Sequence, residues 1–312
     1  MLAVFESVLP IFLIIVLGSL LRRTPLMDAA GWLGLEKASY WLLYPALLVS
    51  TLMHADFSGL RLDAILVALL AGVGLLAALV LATWPLWRRA GTFTPAEFSS
   101  VFQTAVRWNS FVALAVAQSA FPPAAVTIVA LVMAVIVVPI NIASVAVVAR
   151  FGNGRADWPD VLRKMAANPL ILAVVAGLLL RLVPGGIYGP ADSAMRLVGQ
   201  AAIGMGLISI GAGLRPGDVL RPRLAIWWPV GLKIVVMPAL IGGLAWALGV
   251  RGPDLVYLVL CGSVPTAMNG YMLARQLGGD AEFYAAVTTL QTALAVVTMP
   301  AALAWAAQLA SG

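Results

Sequence analysis

Residues 102–114 read FQTAVRWNSFVAL and residues 260–273 read LCGSVPTAMNGYML, two apolar stretches that each carry a knot of polar and helix-breaking residues. The first gathers Gln103, Thr104, Arg107, Asn109 and Ser110; the second gathers Ser263, Pro265, Thr266, Asn269 and Gly270. Asn109 and Asn269 stand 160 residues apart, Pro10 and Pro169 as well as Gly18 and Gly177 stand 159 apart, and Pro139 and Pro300 stand 161 apart. One register therefore links the two halves. Each half carries five apolar segments, an odd number, so a second copy of the same unit enters a bilayer from the opposite face. The spacing predicts an inverted repeat, with the first copy at residues 1–149, a cytoplasmic linker at 150–162 and the second copy at 163–312.

A chain that is 62% hydrophobic and 10% charged, with mean hydropathy +1.01, has too little polar surface to cover a water-soluble globule of 312 residues. Apolar runs long enough to cross the hydrocarbon core as helices lie at roughly 3–21, 38–53, 62–87, 96–118, 123–149, 163–183, 191–214, 223–248, 254–276 and 282–309. They do not alternate as barrel strands do. The fold class expected is all-α integral membrane, with ten transmembrane helices as a 5+5 inverted repeat and with helices 4 and 9 broken and crossed. The first run lacks a basic leader, and Arg22-Arg23 follow it where a signal peptide would have small residues, so it is expected to remain as a helix.

The formal net charge of +6 encodes orientation. The turns after segments 1, 3, 5, 7 and 9 hold thirteen basic residues: Arg22, Arg23, Lys37, Arg88, Arg89, Arg150, Arg155, Arg163, Lys164, Arg215, Arg221, Arg223 and Arg275. The opposite side holds Arg61, Arg181, Arg196 and Arg251. This bias predicts a multi-pass protein of the cell inner (plasma) membrane with both termini on the non-cytoplasmic side. The bilayer is then the expected partner, and nucleic acid is not.

Cys261 is alone and sits in an apolar run, which suits packing; His54 is also alone, so a zinc or haem site is not expected. Neither a phosphate-cradling G-x-x-x-x-G-K nor a G-x-S-x-G nucleophile turn occurs. No cofactor is expected beyond a possible coupling Na+ or H+. Chemistry must be sought in the polar residues at membrane depth, which are costly there and face cavities or the bundle interior.

Pro265 lacks an amide hydrogen and frees a carbonyl in the preceding turn, while Gly262 and Gly270 permit unwound backbone. Two helices broken at one depth would aim the positive N-terminal ends of their second halves at a shared place, which suits an anion. Asn109, Ser110, Arg107, Pro265, Thr266 and Asn269 are the expected substrate contacts. Lys233 and Gln103, with Tyr44 and Gln200 on equivalent helices of a static wall, are expected to support or couple. No Asp or Glu occupies the middle of any span; Glu6, Glu97, Asp254, Asp280 and Glu282 sit at span ends. Three explanations stay open: an uncoupled anion carrier, a cation held by neutral oxygens, or a tethered cation at Arg107 or Lys233 in a coupling ion's place.

The strings LPIFLIIVLGSLLRR, LLYPALLVSTL, NPLILAVVAGLLLRL, ISIGAGLRP, GSVPTAMNGYMLARQLGGD and TTLQTALAVVTMPAAL, in that order, resemble the auxin efflux carrier family over nearly the whole chain. The resemblance implies a scaffold of helices 1, 2, 6 and 7, a moving unit of helices 3–5 and 8–10, and a homodimer through the scaffold. Related folds occur among bile-acid/sodium symporters. Plant members carry an Asn-Pro-Asn-x-Tyr-type break in helix 4; here Arg107-Trp108-Asn109-Ser110-Phe111 keeps one asparagine and lacks the proline. That carries Asn109 over as a substrate contact and weakens the case for an auxin-like ligand relative to a malonate- or malate-like one. The function expected is carriage of a small organic anion by an elevator-type movement. Sodium-coupled symport is the alternative, and a membrane sensor or subunit is a further one. Enzymatic activity is not expected, because a nucleophile with its base, or paired carboxylates at depth, are missing.

Overall fold

A computed structural model describes residues 2–55, 62–152, 158–184, 187–214, 217 and 223–311. Arg61, Arg155, Arg215 and Arg221, which entered the orientation count, lie outside the described residues, as does the middle of the 150–162 linker. The described residues are helical, without a strand among them. The helices are α1 (Leu2–Leu21), α2 (Ala29–Ala38), α3 (Tyr44–Met53), α4 (Leu62–Ala90), α5 (Pro95–Val106), α6 (Ser110–Ala120), α7 (Pro123–Phe151) and α8 (Trp158–Ala166). Then follow α9 (Pro169–Leu180), α10 (Gly189–Gly213), α11 (Trp227–Gly231), α12 (Met237–Ala247), α13 (Gly252–Ser263), α14 (Gly270–Leu277) and α15 (Ala281–Ser311).

Local chemistry sets these boundaries. Thr94 and Glu97 form a capping box with Pro95 at the first position of α5, and the Asn168 side chain accepts from the Leu170 and Ile171 amides ahead of α9. Wide π-helical turns at Ser39–Leu43 and Leu232–Val236 join α2 to α3 and α11 to α12, so Tyr44-Pro45 and Met237-Pro238 continue a helix that began earlier. The second apolar run thus extends back to Ala29, nine residues before its predicted start at 38. Asp63–Ala90, Pro123–Phe151, Gly189–Gly213, Leu224–Ala247 and Ala281–Ser311 are long and apolar enough to cross a membrane unbroken, and Phe5–Leu21 and Pro169–Leu180 are shorter apolar helices. The protein is an all-helical integral membrane protein.

Packing divides the helices into two groups. In one, α10 lies against α1 and α3, and α9 against α3. A Cβ on Gly18 would fall on the Ile208 backbone, and one on Gly211 on that of Ile15, so both glycines are required for the close approach of α1 and α10. The other group brings together α4, α5, α7 and α12–α15, with Leu258, Leu260, Val287 and Met299 among its fully enclosed apolar side chains. Contacts of α1 with α6 and α15, and of α3 and α9 with α7, join the groups.

Candidate functional site: a cavity at two broken helices

Both polar knots break their helices. The α5 helix ends at Val106, Arg107 and Asn109 are extended, and α6 begins at Ser110. The α13 helix ends at Ser263, Val264 is extended, and α14 begins at Gly270. The first break needs no proline because the partner strand of backbone holds it open: the Asn109 amide donates to the Pro265 carbonyl at 2.7 Å. Thr266 Oγ1 donates to the Thr104 carbonyl at 2.6 Å and to that of Arg107 at 3.2 Å. Gln291 of α15 adds three bonds, accepting from the Thr266 amide at 3.1 Å and donating to the carbonyls of Thr104 at 3.1 Å and Pro229 at 3.2 Å. Backbone freed inside the membrane is thereby satisfied by protein.

The glycines act differently from the expectation. Gly262 and Gly270 are helical, and neither has positive φ. Gly262 instead leaves room for Pro238 and Ile241, and Gly270 for the Tyr284 hydroxyl.

A cavity of about 540 Å³ lies between the two helix groups, and both second half-helices start at its wall. Asn109 caps α6, its Oδ1 accepting from the Val112 amide at 3.3 Å. That leaves its NH2 free of the cap. Asn269 stands at the N-terminus of α14, and its Oδ1 accepts instead from Arg107 Nη1 at 3.2 Å. Arg107 Nη2 donates to Asn141 Oδ1 of α7 at 2.7 Å, which leaves Nε without a partner. The guanidinium is thus forked between two neutral amides at the meeting point of two helix N-termini. It is 7% exposed, so its charge is held in a poorly solvated place.

The opposite wall comes from α3, α9 and α10. Tyr44 stacks on Phe111 with ring centroids 3.7 Å apart, and its hydroxyl, wholly buried against Gly206, has no partner. Ser39 and Ser209 hydroxyls and the Trp108 indole N–H are likewise unpaired and line the same space. Buried polar groups are normally paired, so several converging on one cavity mark a place shaped for a polar ligand.

Of the residues singled out from sequence, Arg107, Asn109, Ser110, Asn269 and Tyr44 line the cavity. Pro265 and Thr266 do not: they tie the two breaks together behind it. Gln103 is buried one turn before the first break with both amide atoms unpaired, and Gln200 is exposed on α10; neither reaches the cavity. Asn141 and Gln291 were not singled out. The signal existed, because each is an amide inside a long apolar helix, Asn141 two residues after Pro139 and Gln291 among Thr288, Thr289 and Thr292, but in neither place does a breaker stand beside a polar cluster.

Lys233 is completely buried in the wide turn before α12, where its ammonium donates to the Gly262 carbonyl at 3.2 Å, at the C-terminal end of α13. Trp108 and Ile140, which line both the large cavity and the small apolar space beside Lys233, separate the two. A cation there complements the negative end of the half-helix, yet one neutral hydrogen bond offsets little of its desolvation. Lys233→Met is therefore expected to melt at or above the wild-type temperature while solute uptake falls at least tenfold. Melting curves and uptake measured side by side check this; a lower melting temperature with unimpaired uptake would make Lys233 a structural tie. Among the described residues no group of three or more His, Cys, Asp or Glu could hold a metal ion. His54 bonds instead to the Ser50 carbonyl and lies 3.5 Å from Asp192.

Broken helices meeting beside a half-open cavity, in an all-helical membrane fold, define a membrane transporter. Residues 156–303 match the family described as "Membrane transport protein". An "Uncharacterized transporter" of Methanothermobacter thermautotrophicus is 24% identical over 302 residues, covering 95% of this chain and 96% of that one. Over residues 156–303 the chain is thus similar to that family, and over nearly its whole length to a transporter.

Proposed function

We propose that the protein carries a small organic anion across the cell membrane, binding its carboxylate where α6 and α14 begin. The observation that carries this reading is the Arg107 guanidinium held between Asn141 and Asn269 at two helix N-termini, beside unpaired hydroxyls in a cavity of ligand size. In this reading the ten apolar segments form a 5+5 inverted repeat, residues 1–149 and 163–312 joined by the linker 150–162. The breaks at corresponding places, hydrogen-bonded to one another, support it. The cavity's lining reaches Glu36, Val145, Asn168, Gly213, Gln276 and Leu277, all near helix ends that border the basic turns. A positive-inside orientation makes this the cytoplasm-open state, with both termini outside.

The cavity lies along the seam between the helix groups, so sliding one against the other would carry the site across the membrane, an elevator-type movement. The exposed apolar side chains of α1, including Leu13, Val16 and Leu20, suit lipid or a second copy in a dimer through the scaffold. Sodium-coupled symport is less well supported. Carbonyls at the ends of α5 and α13, the groups that would hold a cation, already accept from Thr266, Gln291 and Lys233. An uncoupled carrier needs no such vacancy.

Thermal stabilisation of the purified protein against mono- and dicarboxylates, with and without sodium, tests the reading. A ligand that binds only the native state raises the melting temperature. A shift by a carboxylate, independent of sodium and lost in Asn109→Ala, is expected; stabilisation by sodium alone would favour the symporter, and no carboxylate response would overturn the assignment.

A further inference from the structure

We infer that the cargo is an amino-carboxylate: an anionic carboxylate at Arg107 and, at its other end, an ammonium group that pairs with Glu36. The inference rests on the carboxylate-carrier reading above and narrows it. Among the described residues lining the cavity, Arg107 is the only cation and Glu36 the only carboxylate. Lys233 adds no charge to the cavity, because it is buried behind Trp108 and Ile140. One guanidinium balances one carboxylate. A second carboxylate on the cargo would lie toward Glu36 with no counter-charge and would be repelled by it.

Glu36 has an unusual position for a residue near a span end. The α2 helix and the wide turn after it carry Glu36, Ser39, Tyr40 and Tyr44 into the cavity along one face. The eight residues from Glu36 to Tyr44 rise about 12 Å, so the two ends of this face lie well apart along the cavity. Between the ends, the stacked Tyr44 and Phe111 with Ile140 and Ile210 offer a surface for methylenes. Glu36 makes no ion pair among the described residues, although Lys37 follows it. An exposed carboxylate at the cavity wall, without an ion pair, is a place that a cationic ligand group completes. The cargo then crosses with no net charge.

Two matched sets separate the possibilities: butyrate, 4-aminobutyrate and succinate; then hexanoate, 6-aminohexanoate and adipate. Binding of each to the purified protein is measured by calorimetry, for the wild type and for Glu36→Gln. In at least one set, the amino compound is expected to bind the wild type at least tenfold more tightly than its methyl-ended and dicarboxylate counterparts. In Glu36→Gln that preference should shrink below threefold. Equal binding of the methyl-ended acid, tighter binding of the dicarboxylate, or an undiminished preference in Glu36→Gln overturns the inference and leaves the carboxylate reading intact. If none of the six binds, both fall.

Discussion

Arg107→Gln is expected to abolish carboxylate uptake and to weaken carboxylate binding by about 10- to 100-fold, the size of one lost charge-assisted hydrogen bond. The site offers no substitute, because Lys233, the other cation at this depth, lies in a separate space. Arg107→Lys should recover little. An ammonium can meet one of the two amide oxygens that the guanidinium forks between, and it cannot leave a planar edge free for the cargo. Stability should move the other way from binding. A guanidinium 7% exposed, with neutral amides and no carboxylate as its recorded partners, costs desolvation that a glutamine avoids. Melting and calorimetry on the same preparation check this. Unchanged affinity with a lowered melting temperature would recast Arg107 as a brace for the crossing.

How far sequence alone led to this arrangement depends on what each residue had to do. The breaks were legible because polar groups are expensive in an apolar run, so five within Gln103–Ser110 had to mean something other than packing. Arg107, Asn109 and Asn269 followed from that cost. Thr266 looked like a ligand from the same pattern, but a hydroxyl beside a break has two ways to be satisfied. Which one it takes depends on whether a carbonyl of the other half lies within reach, here that of Thr104. That is a tertiary fact invisible at a separation of 162 residues. Glu36 was missed for a related reason. The second span was set to begin at 38, with Lys37 counted in the turn before it, whereas packing of α2 on α10 extends the helix and puts its face into the cavity. The glycines of segment 9 were read as permission to unwind, yet what they supply is space for neighbouring side chains.

Gln291 carries the second large effect, and it separates a tie from a ligand. Gln291→Leu keeps nearly the same volume but removes the acceptor for the Thr266 amide, the donor to the Pro229 carbonyl and one of two donors to Thr104. The Thr266 amide has no other recorded partner in a region closed to water, and such an orphan costs about 1–3 kcal/mol, whereas the Pro229 carbonyl keeps the Leu232 amide. A loss on the order of 1–3 kcal/mol should lower the melting temperature by roughly 2–10 °C. Gln291→Glu should rescue only part, since a carboxylate accepts from the Thr266 amide but repels the two carbonyls. The same exchange at Gln200, an exposed residue of α10, is expected to stay within about 0.5 kcal/mol, because no buried group depends on it. Affinity distinguishes the roles. If Gln291 only holds the two breaks in register, carboxylate binding measured well below the lowered melting temperature should stay within about threefold of wild type, since its bonds lie behind the cavity wall. A large loss of affinity without a loss of stability would place Gln291 among the groups the cargo touches, and the register of the crossing would then depend on Thr266 alone.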